Sequence, residues 1–268
     1  MHEDLGRVLI IAGSDSGGGA GVQADIKTVT ALGGYASAAL TAVTVQNTLG
    51  VQAVHALAPE LVVAQARAVL DDIGADAIKT GMLGDAPTVE AVAALLASER
   101  RPCVVDPVMV AKGGAALLAP EAVAAVRERL MPNATLFMPN APEAAALTGL
   151  EASTTDDLER AGERLLAMGA QAVLMKGGHV PGDRVVDLLM TGVSTTRFES
   201  GRIAGRHTHG TGCTLASAIA TGLAQGLGLE RAVARARDYL LEALRRAPGF
   251  GAGHGPVDHA WPLRATAP

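Results

Sequence analysis

Aromatic residues are almost missing from this chain: three Phe, two Tyr and one Trp make up 2% of 268 residues. A core must therefore be built from Ala, Val, Leu, Ile and Met, and the apolar content of 49% is ample for one. A basic excess is missing too, with 22 Lys and Arg against 27 Asp and Glu and a formal charge of −5. Without a cationic footprint or stacking side chains, a nucleic-acid partner is not expected. No apolar run approaches the roughly 18 residues of a membrane span. The N-terminal Met1-His2-Glu3-Asp4 lacks the basic and apolar regions of a signal peptide, so no membrane contact and a cytoplasmic location are expected. Cys103 and Cys213 are the only cysteines, which excludes a disulfide framework or a cysteine zinc site. No linker, charge block or internal repeat divides the chain, and residues 1–268 read as a single domain.

What is present is alternation. Short β-branched runs at 8–12, 38–45, 77–79, 103–105, 136–138 and 172–176 read as strands. Ala/Leu segments of helical period lie between and beyond them, at 21–32, 61–73, 88–96, 120–130, 214–225 and 230–246. Thr154 and Asp157 form a capping-box pattern for a further helix that Gly169 stops. Residues 185–190 and 195–199 read as a hairpin around Thr191-Gly192. The pattern predicts an α/β protein with a mainly parallel sheet. A (β/α)₈ barrel fits the alternation and length as well, but the hairpin and two consecutive C-terminal helices argue against it.

In such sheets ligands sit at the carboxyl ends of the strands, and the unusual residues cluster there. Gly13 to Gly21 follows the first strand, Gln46-Asn47-Thr48 the second, and Thr80-Gly81-Met82 the third. Asp106 to Met109, Pro139 to Glu143 and Gly177-Gly178-His179 follow the next three. Most telling is His209-Gly210-Thr211-Gly212-Cys213-Thr214, which runs straight into an apolar helical segment. Glycines at a helix start leave backbone N–H groups free to converge on an anion. The same field would favour the thiolate of Cys213 in the first turn. Taken alone, the motif also fits a plain Gly-rich helix start with a buried cysteine.

The segments GSDSGGGAGVQADIKT, TVQNTLGV, KTGMLGD, DPVMVAKGG, PNAPEAAAL, LMKGGH, HTHGTGCTLASA and GHGPVDH together resemble the hydroxymethylpyrimidine/phosphomethylpyrimidine kinases of thiamin biosynthesis, within the ribokinase-like superfamily. The resemblance implies a three-layer α/β/α sandwich around a central, mainly parallel sheet. It implies two ATP-dependent steps assisted by Mg²⁺: phosphorylation of 4-amino-5-hydroxymethyl-2-methylpyrimidine, then of its monophosphate to the diphosphate. Enzymes of this kind are often dimers, so a homodimer is expected.

Residue roles follow by motif. Gly210, Thr211, Gly212 and Cys213 correspond to the phosphoryl cradle, with Cys213 where most sugar-kinase relatives carry an aspartate base. Lys176, at the end of an apolar strand, suits polyphosphate oxygens. Asn140, Lys176, Thr208, Gly210 and Gly212 are expected at the nucleotide, and Asp106 and Glu143 at Mg²⁺. Gly13, Asp25, Gln46, Met82 and Val108 are expected around the pyrimidine, and the Gln46 amide offers a donor and an acceptor to an aminopyrimidine edge. Without the resemblance, Asp25 reads as first-turn helix charge, Gln46 as a strand-end cap, Met82 as core, and Asp106 as half of an Asp-Pro turn. Lys112 reads equally as a second cation over the site or as a solvated loop lysine. Cys103 reads as core, and no histidine pair shows metal spacing. Aliphatic residues from Thr214 onward are expected to wall the adenine. The alternatives are a pyridoxal or pyridoxine kinase on the same scaffold and, more distantly, a non-catalytic pyrimidine sensor.

Overall fold

A computed structural model describes residues 5–111 and 114–265. Lys112 lies outside the described residues. Strand β1 (Arg7–Ser14) is buried along nearly its whole length, as expected of a central strand covered on both faces. Its alternation sends Leu9 and Ile11 to one face and Val8, Ile10 and Ala12 to the other. Parallel neighbours flank it: β2 (Tyr35–Asn47) on one side, and β4 (Ala77–Thr80), β5 (Cys103–Val105), β6 (Leu136–Phe137) and β7 (Ala172–Met175) on the other. Antiparallel β3 (Gly50–Ala56) closes one edge, and β8 (Arg184–Thr191) with β9 (Thr195–Gly201) the other. Among the described residues, the order is β3-β2-β1-β4-β5-β6-β7-β8-β9. The sheet is open, not a barrel.

One face of the sheet carries α2 (Pro59–Asp72), α3 (Ala86–Ser98), α4 (Ala122–Ala125), α5 (Ala141–Thr148) and α6 (Thr155–Ala167). The other carries α1 (Gly21–Ala31), α7 (Thr211–Ala224) and α8 (Leu229–Arg245); a short α9 (Trp261–Ala265) follows. The result is a three-layer α/β/α sandwich. Its core is aliphatic, with Leu9, Ile10, Ile78 and Leu136 fully buried, and Cys103 is part of it. Among the described residues, no helix is long and apolar enough to cross a membrane.

The sequence reading departs from this fold in four places. Strand β2 runs on past Val45, and Gln46 and Asn47 pair with Val51 and Gly50 of β3, so they are strand residues and not a loop. Strand β3 shows little apolar alternation because its side chains are mostly solvent-facing. The segment expected as one helix over 120–130 begins at Ala122 and widens into a π-turn at Val126–Leu130. Helix α5 starts directly after Asn140, inside what the sequence suggests is a loop. The Thr154–Asp157 capping box forms as expected, with reciprocal bonds of 3.1 and 2.8 Å.

Candidate active site

Because β1, β2, β4, β5, β6 and β7 run parallel, their carboxyl ends open on one rim. A cavity of about 330 Å³ lies there. At its floor, Gly210 takes φ 80° as the N-cap of α7, and the first helical bond runs from Thr214 N to Gly210 O at 2.9 Å. The amides of Thr211, Gly212 and Cys213 therefore precede the helical ladder and, with the dipole, suit an anion. A Cβ at Gly210 would lie 1.8 Å from the Gly19 carbonyl oxygen, and at positive φ it would be strained in addition. Gly210→Ala is thus expected to displace the cradle by about 1 Å and lower kcat/KM at least ~100-fold. Steady-state kinetics on protein whose circular dichroism is unchanged would check this.

Across from the cradle stand Lys176, Asp106, Glu143 and Asn140. Lys176 Nζ donates to Asp106 Oδ1 at 2.5 Å and lies 3.8 Å from Glu143 Oε2. Gly212 lets the helix start come close: a Cβ there would be 2.9 Å from Asp106 Oδ2 and 3.7 Å from Lys176 Nζ. Asn140 caps α5, its side-chain oxygen accepting from Glu143 N at 3.0 Å while Glu143 Oε2 accepts from Asn140 N at 2.8 Å. This capping box explains how the Asn-x-x-Glu spacing delivers a carboxylate to the rim. Burial pushes the Glu143 carboxyl up to about 7, against the pull of Lys176 and with the help of Asp106. Burial opposes the charge on Lys176, but the two carboxylates outweigh it and its pKa rises. The lysine is a permanent cation at the cavity wall, and Thr208 lines the same wall.

Cys213 lines the cavity, but its surroundings disfavour the thiolate that the helix field alone would favour. Burial pushes the thiol up to about 11; Asp25 and Asp106 add to this, while Lys79 and the Gly21 amide pull it down. Desolvation of a sulfur anion outweighs the helix field here.

Asp25 is not at the cavity wall, where the sequence reading expects a substrate contact. It is fully buried and absent from the cavity lining. Its Oδ2 accepts from Lys79 Nζ at 2.7 Å and its Oδ1 from Ser217 Oγ at 2.7 Å. Both oxygens already have partners inside the protein. It ties α1 to β4 and to α7, one turn beyond Cys213. Lys79 escaped the sequence reading, although a lysine inside the apolar strand Ala77–Thr80 carries the same signal that marks Lys176.

Gly13, Gln46, Met82 and Val108 also line this cavity. Asp15 and His209 join them unforeseen. Asp15 gathers the amides of Gly17, Gly19 and Ala20 at 2.8–3.0 Å, so the glycine loop turns those donors inward, away from a ligand. His209 Nε2 lies 2.8 Å from Asp15 Oδ2 and 3.1 Å from Gln46 Nε2. The cavity continues past the cradle between Val185, Ile203, Leu215, Leu240 and Leu244.

Comparison with known proteins gives this arrangement a family. Residues 15–258 match the family model described as phosphomethylpyrimidine kinase. The chain is 54% identical over 255 residues to the thiamine biosynthesis bifunctional protein ThiED of Geobacter sulfurreducens, covering 95% of this chain and 52% of that protein; it spans about half that relative's length. It is 53% identical over 256 residues to the hydroxymethylpyrimidine/phosphomethylpyrimidine kinase of Streptomyces coelicolor, covering 96% of this chain and 95% of the relative. Among solved structures, the ADP complex of Bacillus subtilis pyridoxal kinase superposes with a TM-score of 0.89 at 37% identity, over 97% of this chain and 99% of that one. With the family model spanning the sandwich from the glycine loop to the C-terminal tail, this chain belongs to the phosphomethylpyrimidine kinase family.

Proposed function

We propose that this protein phosphorylates 4-amino-5-hydroxymethyl-2-methylpyrimidine with ATP and then converts the monophosphate to the diphosphate. The observation that carries this reading is one cavity lined by a helix-start cradle, a largely buried lysine and the Gln46 carboxamide. The pyrimidine ring lies between Met82 and Val108, with its amino edge on Gln46 and its hydroxymethyl group pointing at Cys213 and the cradle. The triphosphate lies over Thr208 and Gly210 to Gly212, near Asn140, with Lys176 beside it. Adenine fills the aliphatic slot of Val185, Ile203, Leu240 and Leu244. Fixed amides and a fixed cation suit a loose phosphoryl-transfer transition state, in which charge on the equatorial oxygens must be met without reorganisation.

Asp106 and Glu143 fit Mg²⁺. They present hard oxygens next to the phosphates, and among the described residues no third His, Cys, Asp or Glu joins them. Magnesium characteristically takes only one or two carboxylates and completes its shell with phosphate and water oxygens. When bound, the ion neutralises phosphate charge. Aspartate and glutamate position it, while Lys176 keeps both carboxylates from repelling the nucleotide.

Incubating purified protein with ATP, Mg²⁺ and the pyrimidine alcohol should yield monophosphate first and diphosphate later; excess chelator should stop both. Failure to form either product would end this reading. The likeness to pyridoxal kinase supports a second activity on pyridoxal. Gln46 favours the aminopyrimidine, so kcat/KM for pyridoxal is expected to be the lower of the two. Exposed Val45, Leu49 and Val54 on the β2–β3 arm support the homodimer, and dependence on ATP supports work in the cytoplasm.

A further inference from the structure

Ring recognition by Gln46 is part of the proposed function, and the present inference rests on it. A carboxamide has a donor end and an acceptor end of nearly equal size, so its orientation follows from the hydrogens of its partners. Two groups hold the end of Gln46: His209 Nε2 at 3.1 Å and Thr44 Oγ1 at 3.3 Å. Thr44 has one hydroxyl proton, and the Ser14 carbonyl takes it at 2.8 Å. Toward Gln46, Thr44 is therefore an acceptor and calls for the NH₂ end.

Asp15 decides the other side. Its carboxylate faces the amides of Gly17, Gly19 and Ala20 as well as the His209 ring. Burial opposes the charge, but three backbone N–H donors at 2.8–3.0 Å favour the ionised carboxylate. An ionised carboxylate only accepts, so the proton on the 2.8 Å contact sits on His209 Nε2. An NH₂ group facing that N–H would set donor against donor. A carbonyl there accepts the same proton as the longer, 3.1 Å arm of a bifurcated bond whose shorter arm goes to Asp15.

We propose that Asp15 and His209 are positioning residues that lock the Gln46 amide with Oε1 toward His209 and Nε2 toward Thr44. The remaining lone pair and hydrogen of the amide then read a ring edge in one sense only: amino group on the His209 side, bare ring nitrogen on the Thr44 side. A pyrimidinone, with an oxo group and a protonated nitrogen at those places, meets like against like at both. Such a mismatch costs on the order of 100-fold or more in kcat/KM.

The first test needs no turnover and so stands apart from the kinase reading. Side-chain ¹H–¹⁵N correlation spectra of the labelled full chain, with the His209 signal assigned by its loss in His209→Gln, should show a proton on Nε2. A bare Nε2 would overturn the proposal. The second test compares the amino substrate with its 4-oxo counterpart. His209→Ala should raise KM for the amino ring about tenfold, with kcat falling less than about threefold, and should cut the amino/oxo preference at least about tenfold. His209→Gln, which keeps an N–H near the position of Nε2, should retain most of the preference. Should His209→Ala not fold, Gln46→Glu poses the same question: its carboxylate still accepts from His209 but offers the ring nitrogen no proton, so the preference should fall at least about tenfold. A preference unchanged in these variants would refute the locking role, whereas a wild-type protein that turned over neither ring, with the Nε2 proton present, would count against the kinase reading alone.

Discussion

Lys79→Met is expected to lower the unfolding free energy by about 3–5 kcal/mol, the usual result of stripping a buried ion pair of one member. The lysine and Asp25 side chains are both completely buried, 2.7 Å apart. The variant leaves a carboxylate with only Ser217 as a partner. For a domain of this size each kcal/mol moves Tm by roughly 2–4 °C, so a fall of roughly 6–20 °C should appear in a thermal scan. The double variant Asp25→Asn with Lys79→Met should regain much of that loss, because the stranded charge is gone. A Tm within about 2 °C of the parent for Lys79→Met would mean that the pair is not a fastening of α1 and α7 to the sheet. Lys79 also pulls the Cys213 thiol down, so its loss should push that thiol further up.

Cys213→Ala is expected to reduce kcat by about 10²–10⁴, the range of a lost acid–base group, while KM for the pyrimidine changes little. The pH profile identifies the role. With the thiol pushed up to about 11, the thiolate fraction grows about tenfold for each pH unit between 7 and 10. If the thiolate takes the hydroxyl proton, log kcat rises with a slope near one across that window, and Cys213→Ala flattens it. In the metal-free protein burial pushes the Glu143 carboxyl up to about 7, so Mg²⁺ affinity measured without nucleotide should fall as the pH drops below that value. A parent profile flat from pH 7 to 10 would make Cys213 a positioning thiol and not a base.

These expectations depend unequally on sequence and on fold. Gly210 and Gly212 before an apolar helix, and Lys176 closing an apolar strand, could be read directly, because helix starts and buried cations carry local signatures. Asn140 and Glu143 showed their spacing but not its use as a cap, since the reading left helix α5 inside a loop. Strand β3 passed unnoticed because an exposed edge strand needs no apolar alternation.

The order of residues along this chain determined its alternating architecture, its aliphatic core, the rim on which ligands meet, and most of the side chains gathered there. Only the tertiary structure decided which polar groups answer one another. Asp25 went to Lys79 and Ser217, Asp15 turned the loop amides inward and met His209, and burial overrode the helix field at Cys213. Hydrogen-bond partners and desolvation depend on distances between segments far apart in the chain, and local pattern carries no information about those distances.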